Sequence, residues 1–105
     1  MVITDTTSRL DPGHTRVTLE PQGEIDASSV DELAELVHSA LCSGAHEIDV
    51  DLRGVSFMDT AALRVLEQAR DVLTSSGGHL CLRNAVPEVQ RLLSLTAFDP
   101  GPAAA

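Results

Sequence analysis

Lysine, tryptophan and tyrosine are all missing from this chain of 105 residues, and two phenylalanines are its only aromatic residues. With so few rings there is little to stack on a base or a sugar, and the core has to be built from Leu, Val, Ile and Ala. The seven basic residues are all arginine and stand against 16 carboxylates, a formal net charge of −9. A phosphate backbone or an anionic membrane surface needs a basic face, so neither nucleic acid nor membrane is expected as a partner. A protein with a basic patch suits that charge.

No apolar run approaches the roughly 18 residues of a spanning helix. The start, Met1 to Arg16, is polar, carries Pro12-Gly13 and has neither the basic nor the apolar region of a signal peptide, so the expected location is the cytoplasm. Cys42 and Cys81 stand among apolar neighbours in a chain without export signals and are expected as buried, reduced thiols. Zinc needs more ligands than Cys42 and the nearby His46 supply, and no metal or cofactor is expected.

A chain of this length holds one core. Thr15 to Glu20 alternates Val17 and Leu19 with polar neighbours, the period-two mark of a half-buried strand. Pro21-Gln22-Gly23 turns it, and Glu24-Ile25-Asp26 forms a second short strand. Val30, Leu33, Ala34, Val37, Ala40 and Leu41 then trace one helical stripe, with Ser29 and Glu32 spaced as a capping box, Asp26 and Ser28 as other caps, and Gly44 as the stop. Glu47 to Leu52 alternates again as a strand. Val55 to Met58 reads as an apolar bridge, followed by a helix from Asp59 or Thr60 whose buried face is Ala62, Val65, Leu66, Ala69, Val72 and Leu73. Arg64, Glu67, Gln68 and Asp71 face away. Ser75 to Gly78 stops this helix, His79 to Arg83 forms another strand, and Pro87 opens a third helix marked by Val89, Leu92, Leu93 and Thr96, with Phe98 pinning its end. The expectation is an α/β domain: a mixed sheet of about four to five strands, parallel βαβ units with right-handed crossovers, and helices mainly on one face. The domain spans 15–98, between a flexible N-terminal segment, 1–14, and a flexible tail, 99–105.

The most informative stretch is Val50 to Leu63, a strand, a short apolar connection and then Met58-Asp59-Thr60 at a helix start. Together with Gly23-Glu24-Ile25-Asp26 before the first helix, it resembles the STAS domain of bacterial anti-sigma-factor antagonists, in the same order, over about Thr15 to Phe98. The resemblance implies a domain that binds an anti-sigma factor, typically a serine kinase of the histidine-kinase-like ATPase fold, and so frees a sigma factor. It also implies that phosphorylation of one hydroxyl abolishes binding, and by motif position that hydroxyl is Thr60. Asp59 and Asp26 match acidic positions near it, and Ala61, Ala62 and Arg64 complete the expected partner-binding face. A monomer or weak dimer is expected. Where a second hydroxyl residue and a glycine usually follow the phosphosite, this chain has Ala61 and Ala62.

Both Asp59 and Thr60 are also ordinary helix-cap residues that can serve only to satisfy free N–H groups. The Ala61-Ala62 departure favours an antagonist that binds without a phosphorylation switch, regulated by abundance or through Cys42 and Cys81. A small-ligand sensor lacks a Gly-rich phosphate loop. Enzymatic readings fare worse: a phospho-aspartate receiver using Asp59 or Asp51 lacks its essential lysine, and Cys42 with His46 has no third group to orient the base.

Overall fold

A computed structural model describes the backbone of Arg9–Leu10 and residues 16–96 in full. Among these residues the elements run β1 (Arg9–Leu10), β2 (Arg16–Leu19), β3 (Gly23–Ile25), α1 (Val30–Cys42), β4 (Glu47–Asp51), β5 (Val55–Met58), α2 (Thr60–Ser75), β6 (His79–Arg83) and α3 (Pro87–Leu95). Four strands form one sheet in the order β1-β2-β4-β6, and β3 pairs with β5 in a separate two-stranded sheet. The β1–β2 pair is antiparallel and the others are parallel, so the architecture is the expected mixed α/β one.

Alternation in the strands sets the two faces of the larger sheet. Val17, Leu19, Ile48, Val50, Leu80 and Leu82 are buried and supply the apolar face. Leu33, Val37 and Ala40 of α1 join the same core, as do Ala62, Leu66, Ala69 and Leu73 of α2. Each large side chain taken from water here contributes about 1.5–3 kcal/mol. On the other face Asp49, 7% exposed, lies between two arginines, Arg83 Nε at 3.2 Å and Arg16 Nε at 3.6 Å. Arg16 also pairs with Glu47 across β2 and β4, at 2.9 Å. The ends of α1 and α2 are turned by Gly44 and Gly77, whose φ angles of +83° and +86° suit glycine.

Several expectations need correction. The sheet divides in two because Val55–Met58, read as a bridge, pairs with β3 as a strand of its own. Arg9–Leu10 pair with β2 inside the stretch expected as a flexible start; the rest of 1–14, and Phe98 with the tail, lie outside the described residues. The Ser29–Glu32 capping box does not form: Ser29 is buried and turns back to accept the Asp26 N–H at 3.1 Å. Val72 is 57% exposed, because the packed stripe of α2 runs through Ala62, Leu66, Ala69 and Leu73 and leaves it on the flank. Cys81 is buried as expected, but Cys42 is exposed, since it falls on the last turn of α1 beyond the core stripe.

Candidate functional site

The smaller sheet brings the two acidic positions together. In parallel β3 and β5, Ile25 is in register with Met58, and the Asp59 N–H donates to the Ile25 carbonyl at 3.1 Å. Asp26 and Asp59 therefore leave neighbouring strand ends side by side, each just ahead of a helix. Gly23, with φ +91°, carries the chain into this pairing through a register shift between Gly23 and Glu24.

Asp59 is the N-cap of α2. Its Oδ1 accepts the N–H groups of Ala61 at 3.0 Å and Ala62 at 3.1 Å, satisfying two of the donors a helix start leaves free. Thr60, the first helical residue, is exposed, and among the described residues its hydroxyl has no hydrogen-bond partner. It stands at the positive end of the α2 dipole. Arg64, one turn further on the same face, is exposed as well. Ala61 is half-buried. Ala62, which helical spacing placed on the buried face and the motif on the partner face, is fully buried, so its methyl group packs into the core and cannot face a partner.

Asp26 is organised by the two serines after it. Its Oδ1 accepts from Ser28 Oγ at 2.6 Å, Ser28 N–H at 3.0 Å and Ser29 Oγ at 3.2 Å. The Ser28 bonds, side chain first and backbone second, hold the Asp26 carboxyl below its ordinary value of 3.8. The edge of the site thus carries two carboxylates, one fixed by a helix start and one by a serine turn, and the exposed Thr60 follows the first of them.

One part of this surface escapes a reading of the sequence. Two residues before Asp59, Phe57 is 42% exposed, and with Met58, Glu88, Arg91, Leu92 and Leu95 it lines a groove of about 240 Å³ between β5 and α3. Leu95 is 78% exposed. The available signal was the failure of Val55-Ser56-Phe57-Met58 to alternate, together with Leu95 lying three residues past Leu92 on α3. Among the described residues no group of three or more His, Cys, Asp or Glu side chains is placed to hold a metal ion, and no helix is long and apolar enough to cross a membrane.

The family model of the STAS domain matches residues 7–102. The anti-sigma-B factor antagonist of Staphylococcus epidermidis is 28% identical over 76 residues, covering 72% of this chain and 70% of that protein. A crystal structure from Thermotoga maritima superposes with a TM-score of 0.81 at 26% identity, covering 91% of this chain and 81% of its own. The anti-sigma factor antagonist SpoIIAA in its unphosphorylated form gives 0.76 at 21% identity, covering 90% and 83%. Its phosphorylated form, from Bacillus, gives 0.68 at 20%, covering 87% and 82%.

Proposed function

This chain belongs to the STAS domain family, and from that premise we propose that it is an anti-sigma factor antagonist, switched off by a phosphate on Thr60. It binds an anti-sigma factor of the kinase-type ATPase fold in the cytoplasm, as a monomer or weak dimer, and so releases a sigma factor. It catalyses nothing itself.

The observation that carries this reading is the Thr60 hydroxyl, exposed and without a hydrogen-bond partner among the described residues at the start of α2, beside the strand ends that pair Asp59 with Ile25. A kinase can reach that oxygen without disturbing any packing. Phosphorylation bonds Thr60 Oγ1 to the γ-phosphorus of ATP as ADP leaves and the hydroxyl proton is lost. The added charge, roughly −1.5 to −2, arrives beside Asp59 and Asp26. Asp59 already holds the Ala61 and Ala62 amides that would otherwise cradle a phosphate, so the new group is left in solvent, facing whatever docks there. The helix dipole tolerates it, and the fold survives while the docking surface changes sign and shape.

Ala62 bears on the rival reading, an antagonist that binds without a switch. A methyl group in place of glycine would hinder a kinase if it pointed outward, but it is buried in the core. That removes the steric objection and leaves only Ala61 as a departure at the surface. The names of two similar proteins lend support: one is an anti-sigma-B factor antagonist, and the other is known in phosphorylated and unphosphorylated forms.

The test is incubation with ATP and each anti-sigma kinase of the source cell, read by mass spectrometry and by pull-down. One phosphate on Thr60 with loss of binding is the expected result. Stable binding with no phosphate transferred selects the switchless antagonist, and no binding to any anti-sigma factor overturns the proposal.

A further inference from the structure

On the sheet face away from the helices, Thr18, Glu20, Gln22, Asp51 and Arg53 line a polar pocket of about 290 Å³. We propose that this pocket binds a small zwitterion of the α-amino acid class, its ammonium held between Glu20 and Asp51 and its carboxylate by Arg53.

The pocket sits where the sheet breaks. Strands β2 and β4 end at Leu19 and Asp51, and the chain resumes as β3 and β5 only after Pro21-Gln22 and Leu52-Arg53-Gly54. The crease opens a concavity at the carboxyl ends of two parallel strands, the end at which open α/β sheets bind small molecules. Its volume is at the low end of the roughly 300–1,000 Å³ of such sites, which suits a small ligand.

Its polar groups are held in place and unused. Thr18, Glu20 and Gln22 are half-buried, yet among the described residues none of the three side chains makes a hydrogen bond or an ion pair. Gln22 is fixed all the same, because it lies against Gly54, where a Cβ would collide with its amide group. Groups positioned without a protein partner can meet a ligand at little cost in reorganisation.

The charges select the ligand. Thr18 and Leu19 are in register with Asp49 and Val50, so Glu20 follows beside Asp51 at the ends of neighbouring strands. Two carboxylates there repel each other, and an ammonium between them relieves it. Asp51 is steady, since its Oδ1 accepts the Arg53 N–H at 3.0 Å and Asn84 Nδ2 at 3.2 Å. Arg53 reaches the same carboxylate through Nε, at 3.2 Å, and its side chain is 73% exposed, which leaves the Nη edge for a ligand carboxylate. A simple anion meets two acids here, and a simple cation meets the guanidinium. A zwitterion satisfies both poles. The site is separate from Asp26, Asp59 and Thr60, although its walls lead into the strands that precede them, joined by the Gly23 N–H to Gly54 carbonyl bond at 2.8 Å.

The test is a titration of the full chain with L-serine and with L-glutamine, followed by amide proton–nitrogen correlation NMR. Each is compared with its α-amide, which lacks the carboxylate, and its N-acetyl form, which lacks the ammonium. Saturable shifts confined to residues 18–23 and 51–54 are expected with at least one free amino acid, and at least tenfold weaker binding with both of its derivatives. Glu20→Gln and Arg53→Gln are each expected to weaken binding at least tenfold. Neither side chain packs in the core, so both variants are expected to keep the wild-type spectrum elsewhere. No saturable shift with either amino acid, equal affinity for a derivative, or undiminished affinity in either variant overturns the site.

Discussion

The Asp59 N–H donates to the Ile25 carbonyl at 3.1 Å, and that one bond ties the end of β5, and with it the start of α2, to the end of β3. The Asp59 carboxylate meanwhile caps α2. Asp59 thus has a structural task that its main chain and side chain share, and a functional one only if its charge meets a partner. The two separate by substitution. Asp59→Ala is expected to cost about 1 kcal/mol through the lost cap, lowering Tm by about 4–8 °C for a domain near this size. Asp59→Asn keeps a capping oxygen and loses the charge, so it is expected to melt near wild type yet bind the anti-sigma factor more weakly. Unchanged binding in Asp59→Asn would leave the residue as a cap alone.

Thr60 is expected to behave in the opposite way. Its side chain is exposed and makes no hydrogen bond among the described residues, so replacing it removes no contact of the fold. Thr60→Glu places a negative charge at a helix start, which is neutral to slightly stabilising. Affinity for the anti-sigma factor is expected to fall at least tenfold. Thr60→Ala is expected to bind as wild type and to take up no phosphate. Calorimetric titration of the two variants checks this, and equal affinities would contradict the switch.

A third expectation concerns acid. The Asp26 carboxyl titrates below its ordinary value because Ser28 donates to it through both side chain and backbone. A depressed folded value means the stabilisation is present above the unfolded value, and is lost as pH falls through the folded one. Ser28→Ala removes the larger of the two donors and is expected to move the Asp26 titration upward, toward 3.8. Carbon-detected NMR of the carboxyl group reads this directly. No movement would assign the depression to the Ser28 backbone and Ser29 hydroxyl bonds instead.

Much of the fold was legible from local pattern. The β6 strand, the start of α3 at Pro87 and the start of α2 at Thr60 fall where alternation, helical spacing and proline chemistry put them. What local pattern could not carry was pairing. Val55–Met58 looks like a bridge because its buried residues are Val55 and Met58, not alternate positions; only its partner β3 makes it a strand. Ser29 has the spacing of a capping box, yet its hydroxyl is drawn back to the Asp26 N–H, a contact set by the turn after β3. Of the candidate site, Asp26 and Asp59 follow the paired ends of β3 and β5, and Thr60 and Arg64 are exposed on the first turns of α2. Helical spacing already turned the methyl of Ala62 inward, whereas the exposed Phe57–Leu95 groove depends on how α3 settles against β5, which no spacing rule specifies.

The sheet face away from the helices yields the last prediction. Asp49 stands in the middle strand with only 9% of its side chain exposed, between Arg83 and Arg16, which keep 22% and 42%. Removing one partner of a fully buried ion pair costs about 3–5 kcal/mol. Both arginines here can turn toward water, and a hydrogen bond to a charged group is worth about 1.5–3 kcal/mol, so Asp49→Ala is expected to lose about 2 kcal/mol by urea denaturation. Asp49→Asn keeps the volume and an acceptor and is expected to lose less. A second readout comes from the neighbouring strand, where Cys81 is in register with Asp49. Burial raises the Cys81 thiol above its ordinary value, and the Asp49 charge raises it further. Asp49→Asn is therefore expected to lower the pH at which Cys81 is alkylated, through loss of a negative neighbour rather than through unfolding. If the alkylation profile stays put while stability falls, Asp49 acts on packing and not on the field around Cys81.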